Sequence, residues 1–178
     1  GYIGGWFDDL MCRIFEFFYI IPRTFLVILM VAFFGSSVGL MVIIVGVTIW
    51  PSNAKIMRAQ VLTLKSRGYV QAGKVAGGTK LGILFKHIVP NGMGPVLSNS
   101  ILQIAQAVLT EASLSFLGLG DPNRASWGLI LNAGQKHISS APWLVIYPGI
   151  ALALLLLAFN LIGTALHKTL NVKQSVME

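Results

Sequence analysis

Residues 58 to 92, RAQVLTLKSRGYVQAGKVAGGTKLGILFKHIVPNG, separate stretches that water would reject. The segment carries Arg58, Lys65, Arg67, Lys74, Lys80 and Lys86, and neither Asp nor Glu. A positive, acid-free insert between apolar spans marks a loop held on the cytoplasmic side of a membrane. The insert is also patterned as helix. Tyr69, Ala72, Gly73 and Ala76 recur at i, i+3, i+4 and i+7, and Leu81, Leu84, Phe85 and Ile88 repeat that spacing. Gly77-Gly78 divides two short helices, Thr79 is placed to cap the second, and Pro90 is expected to end it. Neither helix is long enough to span a bilayer. The first has a face of small residues, which lets a partner backbone come close. Such a face either enters a groove on another protein or caps its own bundle from below.

Composition on either side of the loop agrees with a membrane setting. The 178 residues are 55% hydrophobic and 11% charged, with a mean hydropathy of +0.76, values that suit a bilayer interior rather than a soluble core. A net charge of +7 could point to nucleic acid, but a basic face needs a soluble domain to carry it and none is visible, so no nucleic-acid partner is expected. Orientation in a lipid bilayer accounts for the charge instead. Cys12 is the one cysteine, so no disulfide within the chain and no Cys-based zinc cluster is expected. The chain begins at Gly1 without a charged leader, and a segment upstream of it is expected.

Apolar stretches run over about residues 17–34, 38–50, 95–119 and 143–166, each judged against the roughly 20 residues a helix needs to cross the hydrocarbon core. The fold class they imply is all-α, a polytopic transmembrane helical bundle of about four spans forming a single domain over 1–178. Its expected layout is an interfacial helix at 6–21, the first two spans within 17–57 and the basic loop at 58–92. A third span follows at 93–119, an external loop at 120–142, a fourth span at 143–166 and a tail at 167–178. The second stretch is short before Pro51, so its helix is predicted to continue through SNAKIMRAQ in a protein-lined environment. Gly35-Ser36-Ser37 is a tight connection that makes the first two spans antiparallel. Of the thirteen Lys and Arg, only Arg124 and Lys136 lie between the third and fourth stretches. That asymmetry places the basic loop and the C-terminus in the cytoplasm of a multi-pass membrane protein. In residues 6–21, Asp9, Arg13 and Glu16 share one helical face among Phe, Leu, Met and Ile. The helix either lies along the membrane surface or carries only a solvated charged edge.

The third stretch is the most polar. Asn99, Gln103, Gln106, Thr110 and Ser113 fall on an arc of roughly 80 degrees, at about 100 degrees per residue. Aligned polar groups either line a water-filled pathway or bond to neighbouring helices. Glu111 lies off that arc, and a carboxylate at membrane depth must be paired, protonated or wet. It contacts a solute or ion, or it is held by a hydrogen bond or by Arg124 or Lys136. No catalytic set emerges. His87, His137 and His167 are in separate segments without metal-ligand spacing. GKVAGGTK imitates a phosphate loop but reads Thr-Lys where Lys-Ser or Lys-Thr is required, so no nucleotide, cofactor or metal is expected on this chain.

GYVQAGKVAGGTKLGILFKHIVPN resembles the EAA signature of permease subunits of binding-protein-dependent ABC importers, with Gln71, Ala72, Gly73, Gly77, Val89 and Pro90 at the matching positions. GYIGGWFDD with Met11, Arg13 and Pro22, then WPSNAKIMRAQ, HIVPN, LTEASLSFLGLG, SWG, APW and AFNLIG are similar to the dipeptide, oligopeptide and nickel branch, in order and spacing. Gln71 replaces the signature Glu, Glu16 stands where the branch usually has Asp, and DPNRASWG is short. The resemblance implies a six-span permease fold whose first two helices are absent from this chain. It implies a transport subunit, not an enzyme, located in the plasma (inner) membrane of a prokaryote. It also implies a coupling helix, with Tyr69, Gln71, Ala72, Gly73, Gly77 and Pro90 facing an ATPase. The implied partners are two ATPase subunits that carry ATP and Mg2+, a second, homologous permease chain and an extracytoplasmic solute-binding protein. The solute would be a short peptide, nickel or an oligosaccharide. A non-ABC channel or a structural membrane subunit would need no ATPase, and an intramembrane enzyme would need more titratable groups than Glu111.

Overall fold

A computed structural model describes residues 1–2 and 4–175, without the side chains of 171–175. Its elements are α1 (Gly5–Ile20), α2 (Arg23–Phe34), α3 (Val38–Leu64), α4 (Gly68–Val75) and α5 (Lys80–Ile83). A π turn over Leu84–Ile88 leads into α6 (Val89–Phe116), followed by α7 (Trp127–Gln135) and α8 (Trp143–Ser175). The expected all-α class holds, with no strand among the described residues. Residues 176–178 of the expected tail lie outside them.

Two of the four expected stretches are not single apolar helices. By length and composition α3 and α8 are able to cross a membrane, and α1 with α2 adds a third crossing if the pair is one broken span. The expected first span is interrupted because Pro22 lacks an N–H and disfavours helix at the residue before it. Accordingly α1 stops at Ile20, Pro22 is extended with ψ 116, and α2 has only 12 residues. The expected third span is α6, 28 residues long, but polar side chains recur along it from Asn91 to Ser115. Such a helix crosses a bilayer only where protein or water covers those groups. The predicted continuation past Pro51 is present: α3 runs 27 residues with Pro51 inside it and buried.

The helices divide into two compact units. One comprises Gly1–Ile20, Trp50–Ser100 and Gly163–Glu178. Its core is Val61, Leu64, Val70, Ile83 and Ile88, with Tyr2, Met57 and Leu84 packed against them. Aromatic edges add to it, Phe15 and Phe18 each meeting Trp50 in a T-shaped arrangement at 5.4 and 5.7 Å, while Lys55 lies 4.0 Å over the Tyr19 ring. The other unit comprises Ile21–Ile49 and Ile101–Ile162. There the Gly35-Ser36-Ser37 connection is as tight as expected: Gly35 takes φ 80, its N–H bonds Val31 O, and the Ser37 hydroxyl accepts from Leu40 N. Val27 and Val31 of α2 then pack with Met41 and Ile44 of α3 and Leu114 of α6.

Candidate functional site

The basic loop is attached to the first unit by a few apolar side chains, and these set which faces remain open. Val70 is 0% exposed, and Ile83 and Ile88 are buried with it. With about 100 degrees per residue, an inward Val70 turns Ala72, Val75 and Ala76 outward, with Tyr69 beside them. Val75 is 90% exposed and Tyr69 42%. Gly73 is half-buried, and a Cβ there would meet Ile83 Cγ1 at 3.8 Å. The expected face of Tyr69, Ala72, Gly73 and Ala76 is therefore corrected in one member, Val75 standing where Gly73 was placed. Small-residue spacing could not fix the rotation of α4. Val70, the large residue at its start, was the signal that could have.

Gly77-Gly78 separates the two helices as expected, by a Schellman closure. Gly77 is left-handed at φ 82, and Gly78 N–H reaches back to Gly73 O at 3.0 Å. Gly78 must stay small, since a Cβ on it would fall 2.8 Å from Gly73 O. Thr79 caps α5, its hydroxyl accepting from Gly82 N at 3.1 Å. Pro90 does not end the second helix. It lies in the first turn of α6, and the Leu84–Ile88 π turn joins α5 to that helix. The wider turn, with Val89 N–H bonding Leu84 O, accommodates a ring that has no donor for the preceding turn. Asn91 Nδ2 donates to His87 O at 2.6 Å within the same stretch. The π register also splits the second expected face: Ile83 and Ile88 turn inward, while Leu81 and Phe85 are 62% and 66% exposed.

Gln71 has a role that its chemistry explains. Its Nε2 donates to Lys65 O at 3.1 Å and its Oε1 accepts from Lys74 Nζ at 3.4 Å. A carboxylate could receive the ammonium but could not donate to the carbonyl. Gln71 thus ties α4 to the chain just beyond α3.

An ion pair anchors α1 in the same unit. Asp8 accepts from Arg58 Nε at 3.0 Å and from Arg58 Nη2 at 2.7 Å, a fork-to-carboxylate pair. The pair borders a largely apolar cavity of ≈ 400 Å³ lined by Phe7, Met11, Phe15, Met57 and Val61 among others. Sequence reading had singled out Asp9, Arg13 and Glu16, which are exposed. Fifty positions separate Asp8 from Arg58, and helical periodicity carries no signal over that distance.

The polar arc of α6 is not one surface. Asn99 Nδ2 bonds Asn53 Oδ1 at 2.7 Å and Ser52 Oγ at 3.3 Å, and Asn53 reaches Ser100 at 3.1 Å. Asn99 is thus a helix-packing residue. Gln106 and Ser113 are exposed, while Gln103 and Thr110 are half-buried. Thr110 and Ser113 return their hydroxyls to Gln106 O and Leu109 O, so they add little polarity to a pathway. Glu111 accepts from the Ser115 hydroxyl at 2.6 Å, whereas Arg124 and Lys136 are both exposed and form no ion pair with it. In a Cys12→Ala background, Gln106→Cys and Ser113→Cys are expected to react with a water-soluble thiol reagent and Asn99→Cys to resist it. Equal protection of all three would mark the arc as packing throughout. Among the described residues no group of three or more His, Cys, Asp or Glu could hold a metal ion.

The family model described as binding-protein-dependent transport system inner membrane component matches residues 1–175. The chain is 40% identical over 174 residues to the oligopeptide transport system permease protein OppC of Haemophilus influenzae, covering 97% of this chain and 56% of that protein. It is 35% identical over 174 residues to the dipeptide transport system permease protein DppC of Alkalihalophilus pseudofirmus, covering 97% and 57%. It is also 35% identical over 174 residues to the glutathione transport system permease protein GsiD of Pectobacterium atrosepticum, covering 97% and 58%. The chain thus spans just over half the length of these relatives.

Proposed function

Because the chain belongs to the inner membrane components of binding-protein-dependent transport systems, we propose that it is the part of a permease subunit through which an ATPase drives peptide import. The solute class follows the relatives, whose names specify oligopeptides, dipeptides and glutathione. One observation carries the mechanism: α4 is anchored by Val70 on one side and leaves Tyr69, Ala72, Val75 and Ala76 uncovered on the other. A helix clamped on one face and open on the other is suited to transmit a push. In this reading ATP and Mg2+ are held by two ATPase subunits, and their closure moves α4. A second, homologous permease chain completes the pathway, and a solute-binding protein delivers the peptide outside. Alternation between inward-facing and outward-facing states requires contacts that differ between the two. The basic loop and the C-terminus face the cytoplasm, in accord with the Lys and Arg asymmetry.

The test is copurification. Ala72→Trp places an indole at the centre of the open face, away from Val70 and Ile83. The assembled membrane subunits are expected to remain folded and to lose their ATPase partners and peptide uptake together. Uptake at the unsubstituted rate with ATPase bound would remove the proposal, and would leave a channel or a structural subunit as the better description.

A further inference from the structure

Resting on that docking reading and going beyond it, we propose that the groove receiving α4 and α5 is a protein surface with an apolar floor and an acidic rim. The three most exposed large apolar side chains of the loop each stand next to a lysine in sequence: Lys74-Val75, Lys80-Leu81 and Phe85-Lys86. All three lysines are exposed. Lys74 bonds the neutral Gln71 amide, and among the described residues none of the three pairs with a carboxylate. The whole segment from 58 to 92 contains no acid that could serve them.

A partner that covers Val75, Leu81 and Phe85 comes close to those lysines, each the sequence neighbour of a covered residue. A partner without carboxylates there would leave them partly desolvated and unpaired, which opposes binding. A partner with carboxylates gains complementary pairing, a faster encounter and discrimination against neutral surfaces. The first-order alternative is the anionic headgroups of the bilayer itself. The apex argues for protein. Beside Val75, the residues Ala72, Ala76, Gly77 and Gly78 allow the close backbone approach that a shaped protein groove uses and a fluid headgroup layer does not.

The experiment uses the complete transporter in nanodiscs of neutral lipid, with ATPase subunits stripped and rebound over a range of NaCl concentrations. The affinity of the unsubstituted protein is expected to fall as salt rises. Lys80→Glu and Lys86→Glu are each expected to weaken rebinding at low salt by about tenfold or more and to flatten the salt dependence. Their melting temperatures should stay unchanged, since both side chains are exposed. Salt-independent rebinding with no effect of either reversal, while Ala72→Trp still abolishes it, would overturn the acidic rim and leave docking standing. Intact rebinding of Ala72→Trp would overturn docking itself. A reversal effect that occurs only when anionic lipid is added would assign the lysines to the membrane and overturn the proposal.

Discussion

Gly128→Ala is expected to destabilise the second unit severely. A Cβ at Gly128 would lie 2.3 Å from Ala112 O and 2.7 Å from Ser115 Cβ, closer than atoms approach. The obstacle is α6 backbone, which cannot rotate away as a side-chain end can. Overpacking commonly costs about 1–3 kcal/mol and occasionally more, and a backbone obstacle places this variant at or beyond the upper end. Neighbouring features depend on the same approach. Ser126 caps α7 by accepting from Leu129 N at 3.2 Å, and Asn132 Nδ2 donates to Phe116 O at 2.6 Å. A Cβ on Gly120 would strike Ser115 Oγ at 2.2 Å. Loss of α7 therefore also exposes Ser115, the donor to Glu111. The check is the melting temperature of the purified membrane subunits. Gly149→Ala serves as the control, because nothing lies within 4 Å of its added Cβ. A Gly128→Ala protein as stable as that control would show that α7 does not lie against α6.

Breaking the Asp8–Arg58 pair is the second large effect. Arg58→Ala leaves the Asp8 carboxylate without its guanidinium at a position that is only 8% exposed. Removing one partner of such a pair is far more damaging than its net worth, because the other charge stays behind unpaired. Several-fold less folded protein is expected in membranes, with α1 detached first. Asp8→Asn should be milder, since a neutral amide leaves no stranded charge on α1. The exchanged pair, Asp8→Arg with Arg58→Asp, should recover part of the loss. No recovery together with a mild Arg58→Ala phenotype would mean that apolar packing around Phe15 and Met57 holds α1 unaided.

The parts of this architecture that were legible in the sequence are those governed by local chemistry. Gly77-Gly78 forecast a break between helices, Thr79 a cap, and Gly35-Ser36-Ser37 a reversal, because each depends on a few adjacent atoms. The helix through Pro51 was foreseen from the shortness of the apolar run before it. Features set by long-range packing were not legible. The rotation of α4 depends on which side chain the core accepts, and Val70 won over Gly73. The Pro90 boundary failed because a π turn absorbed the missing donor, an accommodation that leaves no periodic trace. Composition over a window also hid the break at Ile21-Pro22 and the polar face of α6. In TEASLSFLGLG and SWG the spelling was visible, but the reason for it, two glycines closing on Ser115, emerged only in three dimensions.

The central claim is that the uncovered side of α4 is the surface an ATPase holds. Disulfide cross-linking from α4, in a Cys12→Ala background, tests it most directly. Val75→Cys, at a position 90% exposed, should cross-link to cysteines introduced along the ATPase groove, with a yield that changes when ATP is added. Val70→Cys, at a position 0% exposed, should not. Reaction of Val75→Cys with an impermeant reagent applied outside the cell, with no ATPase cross-link under any nucleotide condition, would contradict the account.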